Sequence, residues 1–248
     1  MKGKVCLISM TKMDGNQLFL ESYLGSLMSS PQGNRMKKAL ETTISDQERC
    51  LGEFRTILSH CENQLSLINR RTLTKDLMTK KRAFEEEKII VNVAALSQQC
   101  SYEIKGYQLL LYYEKNENSR ARIITSVSLM MYEWCEKLLG VSGKELQDIA
   151  KGLLTHSDIV QINIARKGIS DFFKSEKQTL YDIRNNVGAH RDVDFMKQMD
   201  VIDSLSWSDT LRRFHEFEKA TLEFGKALTP LMNAGLRQIG VAFGVVEV

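Results

Sequence analysis

The chain has 248 residues, 43% hydrophobic and 26% charged, with a formal net charge of +3. At roughly 150 residues per domain it holds one large domain or two modest ones, and its balance excludes a disordered acidic tail and a strongly basic nucleic-acid arm. Only 2 prolines occur, where average usage near 5% gives about 12, so long uninterrupted elements are expected.

The N-terminal MKGKVCLISM starts basic, but its apolar run stops before Thr11 and Lys12, short of the core of a signal peptide. No later stretch approaches the ~18 apolar residues of a membrane span. The 5 cysteines (Cys6, Cys50, Cys61, Cys100 and Cys135) are odd in number, form no CxxC pair and sit at no zinc-ligand spacing from a histidine. Reduced thiols in a cytoplasmic protein, without membrane, metal or cofactor, are the expectation.

From Leu40 the apolar positions run Leu40, Ile44, Leu51, Phe54, Leu58, Cys61, Leu65 and Ile68, with Gln47 the polar member. This 3-4 alternation predicts about four heptads of helix. After the polar turn at Arg70, Arg71 and Thr72, a second run places Leu73, Leu77, Phe84, Val91 and Ala94 in comparable phase. Two helices joined by a short turn read as an antiparallel hairpin over residues 1–95.

Beyond residue 96 the predicted helices are shorter. Leu96 to Tyr113 ends in the polar KNENSR turn, and Ala121 to Leu139 closes at Gly140. Ser142, with Glu145 at the capping-box position, starts a helix through Leu154. After a linker at Thr155 to Asp158, Ser170 or Asp171 caps a helix through Val187. A final long helix carries Trp207, Leu211, Phe214, Phe217, Thr221, Phe224, Leu228 and Leu231. Pro230 and Gly235 predict a kink or stop there, and GVAFGVVEV forms an apolar, β-prone tail. The class is all-α: an N-terminal hairpin, 1–95, and a helical bundle, 96–248. The hairpin has 15 basic residues against 11 acidic, the bundle 19 against 20, so the positive excess is N-terminal.

Between two helical patterns lies IRNNVGAHRD, in which Arg184 and Asn185 are followed, after four intervening residues, by His190. The looser pattern of an arginine followed by a histidine after four to six residues also occurs at Arg55 and His60, but there Thr56 follows the arginine. On a continuous helix, residues five apart diverge by about 140° at ~100° per residue, so that pair cannot meet. Arg184 and His190 would stand about 120° apart on unbroken helix. They converge only where the helix breaks, and Gly188-Ala189 offers a stop.

This segment resembles the RNx4H signature of the HEPN superfamily, all-α bundles of which many are metal-independent ribonucleases. The likeness covers the motif and the helical order of roughly residues 96–235, not the hairpin. It implies an endoribonuclease of the toxin or antiviral-defence kind, with Arg184, Asn185 and His190 catalytic, RNA as substrate, a homodimer pairing two motifs, and a cognate antitoxin or regulatory protein as partner. HEPN toxins controlled by adenylylation carry a tyrosine two residues after the histidine. Asp192 stands there in this chain, which puts that control in doubt. A non-catalytic HEPN-like module binding a nucleotide, RNA or a partner protein is the alternative. A helical protein that oligomerises through its heptads is a third.

The remaining polar features have plainer readings. Asp192 and Asp194 before a helix near Phe195 fit N-caps better than a metal site. His60, His156 and His215 lack a partner constellation and read as structural or exposed. The clusters Arg70-Arg71, Lys80-Lys81-Arg82 and Arg212-Arg213 could track an RNA backbone, though charge runs on helices are usually solvated. Tyr102, Tyr107, Tyr112 and Tyr113 follow helical spacing and read as core or boundary residues.

Overall fold

A chain so poor in proline builds long helices, and every secondary-structure element among the described residues is one. The structure is a computed structural model that describes residues 26–72, 74–114, 116–185 and 206–242. Six helices follow in order: α1 (Pro31–Asn69), α2 (Lys75–Tyr113), α3 (Glu117–Val141), α4 (Lys144–Leu153), α5 (His156–Ile183) and α6 (Trp207–Ala242). None is long and apolar enough to cross a membrane. The N-terminal apolar run and residues 243–248 of the tail lie outside the described residues, while Gly240 to Ala242 end α6 as helix.

The helix starts are set by local chemistry. Ser30 accepts from the Gly33 amide at 3.1 Å, with Pro31 opening α1. Thr74 caps α2 through Leu77 N at 3.3 Å, Asn116 caps α3 through Ser119 N at 3.1 Å, and Thr155 caps α5 through Asp158 N at 3.3 Å. Each satisfies an amide that the first turn leaves open. Thr155→Ala should lower stability by about 1 kcal/mol in urea unfolding, whereas Thr155→Ser should stay near wild type.

Three predicted boundaries are corrected. Ser142 does not start α4: its hydroxyl donates to Leu138 O at 2.6 Å and receives Arg166 Nε at 3.2 Å, closing α3 instead. Gly143 stands at the cap of α4 without a side-chain bond. No helix begins at Ser170 or Asp171, because α5 runs unbroken from His156 to Ile183. Pro230 neither stops nor ends α6, which continues to Ala242. The anchors on both sides of it, Leu228 at 2% exposure and Leu231 at 0%, hold the helix in place across the missing amide.

The division at residue 95 also falls inside an element. α2 is continuous from Lys75 to Tyr113, and it packs on α1, α3 and α6. The first two helices do form the expected antiparallel hairpin. Lys88 pairs with Glu62 at 2.9 Å, Gln47 donates to Ser101 at 2.7 Å, and Tyr102 donates to Glu48 at 2.8 Å. At the far end Tyr113 donates to Gly33 O at 2.7 Å. Gly33 is required there, since a Cβ would come within 2.3 Å of Met28 O.

α6 lies antiparallel to both α2 and α5, and its buried stripe fills the main core. Phe214, Phe217, Phe224 and Leu231 are each 0% exposed, and they join Ile104 and Leu111 of α2, Met131 and Leu138 of α3 and Ile162 and Ile169 of α5. A second, small core of Cys61, Ile68 and Phe84 sits near the hairpin turn, with Ile239 of α6 packed against it.

Candidate functional site

The last turn of α5 is anchored by Leu180 and Ile183, at 0% and 1% exposure. Regular α-helix runs to Ile183 and the turn widens over Arg184 and Asn185, while Val187, the expected end of this helix, lies outside the described residues. The Arg184 amide bonds both Leu180 O and Tyr181 O, and its backbone stays helical at φ −57° and ψ −47°. Asn185 follows it, half-buried. His190 lies outside the described residues, as do Asp192, Asp194 and the predicted stop at Gly188-Ala189.

Arg184 is half-buried against α3, its guanidinium 5.2 Å from the centre of the Tyr132 ring. The ring is itself fixed. Its hydroxyl donates to Glu136 at 2.9 Å, and it packs edge-on to Phe173 at 5.3 Å and tilted to Tyr181 at 6.5 Å. Burial and the Glu136 carboxylate raise the Tyr132 hydroxyl above its ordinary pKa, and the Arg184 charge partly offsets them. The aromatic face attracts the cation and limits how the side chain can swing. Nε of Arg184 is buried and meets no hydrogen-bond partner among the described residues. A planar, permanently charged fork held this way suits a bound phosphate.

No other described residue joins Arg184 and Asn185 as a reacting group. Arg55 and His60 lie on the unbroken helix α1, and His60 meets Phe84 edge-on at 6.1 Å. His156 is exposed at the start of α5. Among the described residues no group of His, Cys, Asp and Glu has the makings of a metal site. An apolar groove of about 540 Å³ between α5 and α6 is lined by Ile164, Ala165, Gly168, Ala220, Ala227 and Pro230. Gly168 alone is about 24 Å along α5 from Arg184 at 1.5 Å per residue.

Two of the basic clusters are neutralised locally. Lys80, Lys81 and Arg82 pair with Asp76, Glu85 and Glu86 one turn away. Arg213 bonds Glu176 at 2.7 Å, and Arg212 lies 3.0 Å from Glu216 and 3.5 Å from Glu176. Arg70 and Arg71 are exposed at the hairpin turn.

A polar constellation that sequence spacing does not announce sits between α2 and α6. Glu218 accepts from Lys105 and from Gln108 at 2.7 Å, and His215 Nδ1 lies 3.6 Å from its Oε2. His215 Nε2 in turn meets the Tyr112 hydroxyl at 2.7 Å. Burial raises the Glu218 carboxyl, but hydrogen bonds and charge from His215 and Lys105 outweigh it and hold the group below its ordinary value. Burial pushes Tyr112 up to about 12, so its hydroxyl stays protonated. Only the joint placement of residues about 110 apart in the chain reveals this strap. Because Glu218 is depressed in the fold, its stabilisation is present above the unfolded carboxylate range and is lost as pH falls through its folded value. Glu218→Gln should therefore flatten the acid limb of the stability profile, measured by urea unfolding from pH 3 to 6.

No family model, curated protein or solved structure matches the chain.

Proposed function

We propose that the chain is a HEPN-type endoribonuclease that cuts RNA without a metal. It acts in the cytoplasm as a homodimer and serves as a toxin or antiviral-defence effector controlled by a cognate antitoxin or regulatory protein. His190 takes the proton from a ribose 2′-hydroxyl or returns one to the departing 5′-oxygen, work suited to a group of pKa near 6.5. Arg184 holds the non-bridging oxygens as charge builds on the phosphorus, and Asn185 orients phosphate or histidine. One histidine cannot serve as base and acid in the same step, so two motifs facing each other across a dimer supply both.

The observation that carries this reading is Arg184. In the segment IRNNVGAHRD it caps a long anchored helix, lies against the Tyr132 ring and has Nε without a partner among the described residues. Loss of a transition-state donor of this kind costs about 10²–10³ in rate. Arg184→Ala should slow RNA cleavage by that factor, and Arg184→Lys should fail to restore it because a point charge cannot replace the planar fork. Undiminished cleavage by Arg184→Ala would remove the assignment.

One alternative has an observation in its favour. The near-neutral charge of residues 96–248 and the carboxylates beside Arg212 and Arg213 suit a non-catalytic module that binds a nucleotide, RNA or a partner protein. RNA left intact by wild type, together with nucleotide or protein binding weakened by Arg184→Ala, would select it.

A further inference from the structure

The contact between α2 and the C-terminal end of α6 closes around a carboxylate that no donor meets. Glu87 is 1% exposed, and both its oxygens are buried without a hydrogen-bond partner among the described residues. It fills a notch made by Gly235 of α6, where a Cβ would stand 2.0 Å from its Oε2 and 3.0 Å from Ile90 Cδ1. Gln238, one turn further along α6, gives its Nε2 to Glu86 at 2.8 Å and leaves its Oε1 buried without a donor. This stretch of interface thus presents orphaned acceptors on both helices.

The surrounding charges do not repair the deficit. From α1, Cys61 faces Glu87, its thiol raised by burial first and by the Glu87 charge second. The flanking Glu62 is taken up with Lys88 at 2.9 Å, and His60 lies edge-on to Phe84. On α2, Glu86 is bonded by Arg82 and Gln238. On α6, Gly235 brings no charge and Arg237 is exposed. Burial pushes the Glu87 carboxyl up to about 7. The missing donor is a proton.

We propose that Glu87 is a proton-operated latch: protonated, it lets the end of α6 lie on the hairpin through the Gly235 notch, and ionised, it loosens that contact. The affected unit includes Ile239 of α6 and the small core of Cys61, Ile68 and Phe84. The direction follows from linkage. A carboxyl raised in the docked state binds its proton there and not in the opened state. Docking is therefore firmest below the ordinary carboxylate range, weakens as pH rises towards 7 and levels off above it.

Amide hydrogen exchange of the full chain, corrected for intrinsic rates, reads this directly. Between pH 5 and 7 the protection of residues 234–242 should fall about tenfold per pH unit, on the order of a hundredfold in total. Protection in α3 should hold steady over the same range. Glu87→Gln, a neutral near-isostere, should make the α6 segment insensitive to pH. Glu87→Met, also unable to ionise, serves the same purpose should the glutamine variant fold poorly. Constant protection in wild type, or the same fall in both variants, would overturn the latch.

Discussion

Phe217→Ala is expected to destabilise the fold by about 3–5 kcal/mol, the range for deleting a fully buried aromatic ring. Phe217 is 0% exposed and meets Phe172 of α5 with ring centres 5.5 Å apart. It lies between Phe214 and Phe224 on the stripe that α6 presents to both α2 and α5, so neighbours on two sides would have to collapse to fill the space. Urea unfolding should show a lower midpoint at an unchanged slope. Leu222→Ala, on the same helix but 51% exposed, should stay within about 0.5 kcal/mol of wild type. Equal losses at the two positions would mean that α6 is not packed as described.

Glu176→Ala is expected to cost a similar amount, about 3–5 kcal/mol, by a different route. Its carboxylate bonds Arg213 Nε at 2.7 Å and lies 3.5 Å from Arg212, with side-chain exposures of 12% for Glu176 and 16% for Arg213. Removing the acid leaves the guanidinium of Arg213 poorly solvated and unpaired, and the cost is that of the stranded charge rather than of the lost attraction. Glu176→Ala with Arg213→Met should therefore be less destabilised than Glu176→Ala alone. The pair also joins α5 to α6 two turns before Arg184, about 12 Å along the helix. Its loss should reduce Arg184-dependent cleavage as well as stability.

The two kinds of helix were legible to different degrees. Each residue assigned to the α6 stripe, from Trp207 through Leu231, is buried, because that helix shows one face to a deep core and a single periodicity describes it. The α1 stripe was placed equally well, yet only Gln47, Cys61 and Ile68 of it are fully buried. α1 is an outer helix packed chiefly on α2, and period alone does not report depth. α2 was split because it has neighbours on several sides. Its buried set includes Ile90, Val91, Val93, Ala94 and Ser97, which spreads over more than one face, and the resulting change of phase imitated a helix end near residue 95. Pro230 misled for a related reason: a proline costs about 3 kcal/mol in a helix interior, and the packing of Leu228 and Leu231 outweighs it.

The site divides along the same line. Arg184 and Asn185 were singled out by residue type and spacing, and the structure places them just after the buried Leu180 and Ile183 of α5. The Tyr132 ring beneath Arg184 was not legible, since it comes from α3 and depends on how α3 crosses α5. Glu87 was hidden for a stricter reason. Its position among Glu85, Glu86 and Lys88 reads as a solvated charge run, and only the glycine opposite it on α6 reveals that it is enclosed.

The central claim is tested most directly by incubating single-stranded RNA with the purified full chain in EDTA, beside His190→Ala, and identifying the ends produced. Wild type should generate 2′,3′-cyclic phosphate and 5′-hydroxyl ends, and His190→Ala should generate none above background. Intact RNA with wild type, or the same ends from both proteins, would contradict the assignment.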